Sequence, residues 1–387
     1  MNTHQVEHHA IDWSDFVASK LDTIVDGEFR LLEELGHGSY GCLFLGQNIH
    51  SSDYVAVKVL TKVGLDDQQL ALQRSEIDIQ SSLSHPNIIS LYRSFEDATH
   101  IYIIMELCDQ GDLFDYVVRD AEINPVRDAK FVRKAFSEIL DALQYLHDQH
   151  VYHRDIKLEN ILLKLTNEDS PEEQLVTKVA DFGLATRDRL SMEFGCGSTT
   201  YLAPEHFLED DQSDEELEQP YDSAASDIWS LGVLFLALVY GRNPWQEASS
   251  YDAVFAEYMR NPAVLKELFP MSDEAYDFAK SALSLDPKRR PDIAQLRHQF
   301  AKVTCFSTLP SETPIVVSTP AVPIPRKQDC NVHSYDSGIC VSGSWSDMAD
   351  EADHVDFDND PFAHDATFKM DDNDDTMFAH NEEAWWL

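Results

Sequence analysis

The sequence has few cysteines, and their spacing forms no framework. Six occur in 387 residues, and no two of them make a C-x-x-C pair. A small domain held together by disulfides uses cysteine more densely. The pattern therefore predicts reduced thiols in a cytoplasmic and/or nuclear protein. The cysteines are Cys42, Cys108, Cys196, Cys305, Cys330 and Cys340.

Basic side chains are also scarce. Lysine and arginine number 29 against 70 aspartates and glutamates, which gives a formal net charge of -41. Phosphate backbones and anionic membrane surfaces repel a chain of this charge. We therefore expect no binding to nucleic acid or membranes, and attraction toward basic partners.

Long hydrophobic runs are lacking as well. The most apolar run, IWSLGVLFLALVYG at residues 228–241, is too short for a bilayer span and is interpreted as a buried core helix. The start, MNTHQVEHHAIDW, has neither the basic residues nor the apolar core of a signal peptide. These features predict a soluble protein, which we expect to be a monomer.

Periodic, apolar sequence extends from Glu28 to about Ala301, with strand-like patterns first and helical patterns later. This order favours an α+β fold of two lobes over regular βαβ alternation. The strand-like segments are residues 30–36, 42–49, 53–60 and 101–108, and the helical ones are residues 70–84, 129–149 and 276–285.

Composition divides the chain into three parts. Residues 1–27 are predicted to be an N-terminal arm, and residues 28–302 a folded domain with lobes at about 28–106 and 109–302. Residues 303–387 are Ser/Thr/Pro-containing and acidic, so they bury too little apolar area and are predicted to be disordered. The acidic stretches 166–174 and 208–220 are interpreted as surface loops.

The two ends carry further motifs. HQVEHH has three histidines and could hold a metal, although a mobile polar terminus is the preferred interpretation. The final EEAWWL places two tryptophans beside acids. We interpret it as a docking peptide for a partner or for the chain's own folded domain.

LGHGSYGCL has glycines in a G-x-G-x-x-G spacing at Gly36, Gly38 and Gly41. It lies between two strands instead of opening a helix, which argues against a dinucleotide-binding domain. A glycine-rich hairpin turn is the alternative. The next strand contains VAVK, whose Lys58 points either to solvent or at an anion.

Acidic and amide side chains that suit phosphate chemistry follow. Glu76, in the next helix, is a natural partner for Lys58; DIKLEN supplies Asp155 and Asn160, and ADFG supplies Asp181. Together they offer a lysine for phosphates, oxygen ligands for Mg²⁺ and a carboxylate to orient a hydroxyl. Phosphoryl transfer needs mainly such positioning and charge stabilisation.

In this order, these motifs resemble those of eukaryotic protein kinases over most of the chain. The resemblance implies the two-lobed kinase fold, with ATP bound in the cleft between a small β-rich lobe with one main helix and a larger helical lobe. The implied ATP-binding residues are Leu35, Gly36, Gly38, Gly41, Leu43, Ala56, Lys58, Glu76, Met105, Glu106, Cys108, Asp112 and Leu162.

The same resemblance implies the catalytic roles. Asp155 acts on the substrate hydroxyl, Lys157 neutralises the moving phosphoryl group, and Asn160 and Asp181 hold Mg²⁺. Lys157 is typical of serine/threonine kinases. The implied structural residues, among them a buried pair of Glu205 with Arg290 and a tether at Asp227, are His153, Arg154, Phe182, Gly183, Glu205, Asp227 and Arg290.

Residues 180–205, from ADFG to APE, correspond to the activation segment of the family, and they depart from the family pattern. The position that commonly carries an activating phosphothreonine is Phe194, which cannot be phosphorylated. We expect Glu193 or local packing to engage Arg154 instead, with phosphorylation of Ser191 as the alternative. Ser198 replaces the usual threonine, and its hydroxyl can still reach Asp155 and Lys157.

Polar substitutions elsewhere bear on activity and substrate choice. Gln80 falls where many kinases have an apolar residue. Asp112 and Glu159 match acidic positions that, in basophilic kinases, engage a substrate arginine three residues before the target, while a third acidic position of those kinases is Ala237 here. We therefore predict R-x-x-S/T substrates, with little demand for arginine two residues before the target. The alternative is that Asp112 contacts only the ATP ribose and Glu159 is solvated.

The insert after Glu205 and the motifs FGCGSTTYLAPE and YGRNPWQEAS resemble fungal serine/threonine kinases related to the fission-yeast repressor of meiosis. That likeness implies nutrient, stress or cell-cycle and meiosis signalling. A pseudokinase or scaffold acting by binding remains the alternative function. A small-molecule kinase is disfavoured because Glu205, Asp227 and Arg290 support a platform for protein substrates.

Overall fold

The computed structural model describes residues 13–38, 41–121, 123–166, 174–207 and 219–309. The predicted acidic loops lie almost entirely outside these ranges. So do the histidines of HQVEHH and the terminal EEAWWL.

The N lobe is built on an antiparallel six-stranded sheet in the order β1-β2-β3-β4-β6-β5. Helix α1, Trp13–Lys20, and helix α2, Asp67–Ser81, accompany it. The strands are β1 Ile24–Val25, β2 Phe29–Gly38, β3 Gly41–Asn48, β4 Tyr54–Thr61, β5 Leu91–Glu96 and β6 His100–Met105.

Alternation along β4 assigns the two faces of this sheet. Val55, Val57 and Val59 pack on the outer face, in the core that α1 covers with Val17. Ala56 and Leu60 face the opposite way, in the core that also contacts α2. Lys58, between them in the alternation, therefore lies on the side that faces α2.

The C lobe is mostly helical, with two small two-stranded sheets. Its helices are α3 Leu113–Ala121, α4 Ala129–Asp148, α5 Ser223–Tyr240, α6 Ala253–Arg260, α7 Val264–Leu268, α8 Asp273–Ala282 and α9 Ile293–Phe300. Strand β7, Ile161–Thr166, pairs with β8, Gln174–Val179, and β9, Leu190–Ser191, pairs with β10, Tyr221–Asp222. The predicted two-lobed α+β fold is confirmed.

Helix α5 is the predicted core helix. Asp222 caps its first turn by accepting hydrogen bonds from two backbone N–H groups, and Gly241 ends it at a φ of 77°. Among the described residues it is the one helix long and apolar enough to cross a membrane, but 89% of it is buried within the fold. It contacts α3, α4 and α8 and forms the centre of the C-lobe core.

Ordered structure extends beyond both predicted domain boundaries. Residues of the predicted N-terminal arm form α1 and β1 and pack on the N lobe, with Val17 at 9% exposure. At the other end, Val303 and Phe306 lie in the C-lobe core, so the folded part continues past residue 302. Both segments are short and carry few apolar residues, which is why composition alone assigned them to the arm and the tail.

Candidate active site

The glycine-rich hairpin joins β2 and β3. Gly36 and Gly38 lie in β2, opposite Leu43 and Gly41 of β3. A Cβ at Gly41 would lie 2.3 Å from the carbonyl oxygen of Val59, so only glycine lets β3 approach β4 this closely. Leu35 is also on β2, and both Leu35 and Leu43 are half-buried.

Lys58 and Glu76 form an ion pair between β4 and α2. Their Nζ and Oε1 atoms are 2.6 Å apart. Burial alone would lower the pKa of Lys58, but Glu76 and Asp181 outweigh it and raise that pKa. The lysine is therefore held as a cation, with its charge placed between the sheet and the DFG segment.

Residues 153–160, HRDIKLEN, form the catalytic loop, and Asp155 is the centre of a dense hydrogen-bond network there. Its Oδ1 accepts hydrogen bonds from the Ser198 hydroxyl at 2.9 Å and from the Ser198 N–H at 3.0 Å. Its Oδ2 accepts from the Asn160 amide at 2.9 Å and lies 3.0 Å from Lys157 Nζ. Lys157 also donates to the Ser198 hydroxyl at 2.7 Å. A hydroxyl thus sits between a carboxylate and an ammonium.

Close backbone approach brings Ser198 to this network. The preceding Gly197 has a φ of +118°, and a Cβ there would lie 2.6 Å from the carbonyl oxygen of Arg154. A side chain at residue 197 would therefore push the activation segment away from the catalytic loop.

Asp227, from α5, fixes the backbone of the loop. Its carboxylate accepts the N–H groups of His153 at 3.0 Å and Arg154 at 2.8 Å. Sequence reasoning missed a third partner, His147, whose Nε2 is 2.8 Å from the same carboxylate. Burial would raise the pKa of Asp227, but His147 and His153 contribute to lowering it. Arg154 has a φ of 65°, and this tether holds it in that unusual conformation.

The DFG segment places Asp181 near the loop. Phe182 is fully buried, and its ring lies 5.2 Å from that of His153. Asp181 has a φ of 62°, and its carboxylate accepts the N–H of Gly183 at 3.2 Å. The His153 ring nitrogen lies 3.1 Å from the carbonyl of Ala180, which joins this segment to the catalytic loop.

The residues present fit Mg²⁺. The amide N–H groups of Asn160 donate hydrogen bonds to Asp155, so the amide oxygen of Asn160 is the atom left to bind the ion. Asp181 supplies a carboxylate. The described ranges contain no group of three or more His, Cys, Asp or Glu side chains arranged for a metal. One amide and one carboxylate suit Mg²⁺, which keeps water and phosphate ligands.

Met105, at the end of β6, and Leu162, on β7, each pair with another of the implied ATP-binding residues. Met105 pairs with Ala56 across the strands, and Leu162 of β7 pairs with Asp112 in an isolated bridge. Burial raises the pKa of the Cys108 thiol to about 12, so it is neutral and packs as an apolar group.

Glu106 has an additional role that sequence reasoning missed. Its carboxylate accepts hydrogen bonds from Lys164 at 2.8 Å, Lys178 at 2.9 Å and the N–H of Ser90 at 3.2 Å. It thereby ties the segment after β6 to both strands of the β7–β8 sheet. The single lysine in each of these strands, Lys164 and Lys178, was the available signal.

Arg154 contacts the activation segment. Its Nη1 lies 2.5 Å from Glu193 Oε2, 3.4 Å from Ser191 Oγ and 3.5 Å from the Tyr221 hydroxyl. Phe194 packs its ring 5.4 Å from that of Tyr221. The structure therefore brings together the residues named as a substitute for a phosphothreonine, and adds Tyr221, which sequence reasoning missed.

The far end of the segment is held by Glu205. Arg290 donates two hydrogen bonds to its carboxylate, at 2.6 and 2.7 Å, and the arginine side chain is 0% exposed. The guanidinium also lies 5.0 Å from the centroid of the Trp229 ring. This is the pair implied by the resemblance, and it joins the segment to the C-lobe core.

Glu159 lies within the catalytic loop, and Asp112 lies beside it, paired with Leu162. Asp112 is 6% exposed and caps α3, because its carboxylate accepts the Asp115 N–H at 2.8 Å. Glu159 Oε2 is buried with no hydrogen-bond partner among the described residues. Burial raises the pKa of Glu159, and Asp112 and Asp155 add to the rise. This oxygen is therefore shielded from solvent, and the contact of Glu159 with a substrate arginine stays a prediction.

Gln80 of α2 is 3% exposed, in an apolar setting. Its amide nitrogen lies 3.5 Å from the carbonyl oxygen of Ile89 and 3.6 Å from the sulfur of Met105. The buried amide of Gln80 therefore has hydrogen-bond partners, and a polar residue can be accommodated at this position.

A model of the protein kinase domain matches residues 29–300. The chain is 34% identical to serine/threonine-protein kinase ksp1 of Schizosaccharomyces pombe, over 72% of this chain and 58% of that protein. It is 31% identical to the same yeast's negative regulator of sexual conjugation and meiosis, over 71% of this chain and 60% of that protein. The human SNF-related serine/threonine-protein kinase is 33% identical, over 72% of this chain and 34% of that protein.

The chain thus spans less than two thirds of the length of these relatives. The family match nevertheless covers most of the chain and coincides with the two lobes and the network around Asp155. The chain therefore belongs to the protein kinase family, among members related to these fungal serine/threonine kinases.

Proposed function

We propose that this chain is a serine/threonine protein kinase that transfers the ATP γ-phosphate to hydroxyl groups of proteins. The observation that carries the proposal is the position of the Ser198 hydroxyl, between Asp155 Oδ1 and Lys157 Nζ. A side-chain hydroxyl is held there by the groups that a phosphoryl acceptor needs.

In the proposed reaction, Asp155 orients the substrate hydroxyl and receives its proton as the hydroxyl oxygen bonds to the γ-phosphorus. The bond from that phosphorus to the β,γ-bridging oxygen breaks, and ADP leaves with the electron pair. Lys157 stabilises the charge on the transferring phosphoryl group, since its ammonium lies 3.0 Å from Asp155. Lys58, held as a cation by Glu76, binds the phosphates of ATP. Mg²⁺, held by Asn160 and Asp181, would supply further neutralisation of phosphate charge.

The test measures phosphate transfer from ATP to a degenerate Ser/Thr peptide array, using unphosphorylated protein made in bacteria. Asp155→Asn keeps the shape and removes the carboxylate. We expect transfer by the wild type and a loss of about a thousandfold in the variant. A wild type that binds ATP and transfers no phosphate would instead favour the pseudokinase or scaffold alternative.

We propose further that substrates carry arginine three residues before the target. The support is the half-buried Glu159, whose carboxylate has the like charges of Asp112 and Asp155 as neighbours. A substrate guanidinium placed there would pair with these carboxylates and offset their mutual repulsion. Ala237 offers no charge at the third acidic position, so arginine two residues before the target is not required.

Peptide arrays separate the two acidic residues. We expect Glu159→Gln to reduce the preference for arginine by about tenfold while leaving transfer to the other peptides intact. Asp112→Asn is the matched variant, and it changes the preference only if Asp112 contacts the substrate instead of the ATP ribose. Equal arginine selection in wild type and both variants would contradict the proposal.

We also propose that activity does not require phosphorylation of the activation segment. The contact of Arg154 with Glu193 places a carboxylate beside the arginine that a phosphate would otherwise engage. Ser191, the alternative acceptor, is only 6% exposed and pairs with Tyr221 between β9 and β10.

The process and place of action are proposed from the relatives alone. One relative is named a negative regulator of sexual conjugation and meiosis, and we propose fungal-type nutrient, stress or cell-cycle signalling in the cytoplasm and/or nucleus.

EEAWWL remains a proposed docking peptide. Deleting residues 380–387 should change partner binding or activity, and an unchanged protein would contradict that role.

A further inference from the structure

Helix α1, which lies outside the match to the kinase family, contacts the tip of the glycine-rich hairpin. The indole of Trp13 stacks on the imidazole of His37, with ring centroids 6.0 Å apart and planes inclined by 19°. His37 is the residue between Gly36 and Gly38, within the segment implied to cover the ATP phosphates.

The imidazole is also held from within the hairpin. His37 Nδ1 lies 2.8 Å from Glu34 Oε1, and both side chains are about one-third exposed. The glycines on either side have no side chain with which to fix the hairpin. The contacts of His37 therefore fix the end of β2, next to Gly36 and Gly38.

The helix is anchored well enough to act on that tip. Val17 is buried in the outer-face core of the sheet, and the Phe16 ring lies 5.6 Å from that of His100 on β6. Beyond α1, strand β1 pairs with the start of β2, with Val25 opposite Phe29. The same segment is thus fixed at the start of β2 and contacts its far end.

We propose that α1 braces the ATP-binding hairpin and that Trp13 is a positioning residue, acting through its stack on His37. The proposal rests on the proposed kinase function. A hairpin that is already ordered loses less conformational entropy when nucleotide binds, so the stack increases affinity for ATP. Trp13 touches neither the reacting atoms nor Asp155, so the chemical step is unaffected.

The test uses the full chain and measures two quantities. One is the Kd for Mg²⁺ with AMP-PNP, a non-hydrolysable ATP analogue, by calorimetry; the other is kcat and KM for ATP. Trp13→Ala should raise Kd and KM about threefold to tenfold, the range expected for one aromatic stack, with kcat changed by less than about twofold. Trp13→Phe should restore most of the affinity.

Two further variants address the mechanism. His37→Ala should raise Kd by a similar factor, and the double variant should be no weaker than either single one, because both remove the same contact. Tyr54→Ala is the matched control, since Tyr54 is an aromatic residue of the same lobe at 55% exposure. It should leave Kd unchanged.

Several outcomes would overturn the inference. Equal Kd values for wild type and Trp13→Ala would do so, as would additive effects of the Trp13 and His37 variants. A lower melting temperature with equal losses in kcat and in peptide affinity would make α1 a structural cover only. A wild type that fails to bind AMP-PNP would overturn the proposed function as well.

Discussion

Two arginine–glutamate pairs hold the activation segment, one at its middle and one at its end, and they differ in the number of hydrogen bonds and in the exposure of the carboxylate. Arg290 and Glu205 form a two-bond pair whose arginine is fully buried. Arg154 and Glu193 make a single contact, and Glu193 is 50% exposed. One pair belongs to the C-lobe core, whereas in the other an arginine that is 8% exposed meets a carboxylate that is half in solvent.

The difference separates stability from regulation. Water screens a pair whose carboxylate is half exposed, and Arg154 also donates to the carbonyl oxygen of Leu184, so losing Glu193 costs little folding free energy. A buried charge that loses its partner is very costly. We infer that the pair of Arg290 with Glu205 holds the fold, while the pair of Arg154 with Glu193 adjusts the activation segment. His206 lies between them, with its ring 4.2 Å from that of Tyr221.

The largest expected effect comes from breaking the buried pair. Glu205→Ala leaves the guanidinium of Arg290 without its carboxylate, and we expect it to lower the free energy of unfolding by about 3–5 kcal/mol. Urea denaturation measures this. Glu193→Ala is the matched control and should change that free energy by less than about 1 kcal/mol. Equal losses in the two variants would contradict the division between the pairs.

A second effect concerns pH. Burial lowers the pKa of His206 from 6.5 to about 4, with Arg290 and Arg154 adding to the decrease and Glu205 opposing it. Below pH 6.5 the unfolded chain binds a proton that the folded chain does not, so stability falls as the pH is lowered from 6.5 toward 4. We expect a total loss of about 3 kcal/mol from this residue.

Urea denaturation at pH 7 and pH 5 measures the pH effect for wild type and for His206→Gln. The difference between the two proteins cancels the contributions of other titrating groups. His206→Gln should therefore lose less stability on acidification than the wild type. An equal loss of unfolding free energy between pH 7 and pH 5 in both proteins would show that the fold does not keep His206 neutral.

A smaller effect is expected on activity when the exposed pair is broken. Glu193→Gln removes the charge beside Arg154 and should lower kcat/KM by about tenfold, with little change in the melting temperature. Glu193→Asp keeps the charge and should retain part of the activity. Full activity of Glu193→Gln in unphosphorylated protein would mean that the packing of Phe194 on Tyr221 is enough to hold the activation segment in its active position.

The smallest effect is expected at Ser191. Its hydroxyl accepts the Glu193 N–H at 3.1 Å and lies at the edge of the arginine's contacts. Ser191→Ala, made in bacteria, should retain activity to within about twofold, since a weak neutral hydrogen bond is lost. A collapse of activity would show instead that Ser191 must be phosphorylated.

The strands and helices with strong periodicity were predictable. Helix α2 was expected from residue 70 and begins at Asp67, because Asp66 and Gln69 form a capping box that extends its start. Strand β5 was not predicted, since most of its residues are exposed and it shows no alternation. Helix α1 and strand β1 were missed because short elements depend on packing, which a periodic pattern cannot reveal.

Three properties can be read directly from the residues: the family motifs, the lysine and carboxylate side chains available for phosphate chemistry, and the lack of a phosphorylatable residue at Phe194. These depend on residue type and order. Contacts between distant segments were decided by the tertiary structure: Tyr221 and Glu193 at Arg154, His147 at Asp227, and Trp13 on His37. Each joins residues whose separation along the chain says nothing of their distance in space, and only packing of the whole core sets that distance.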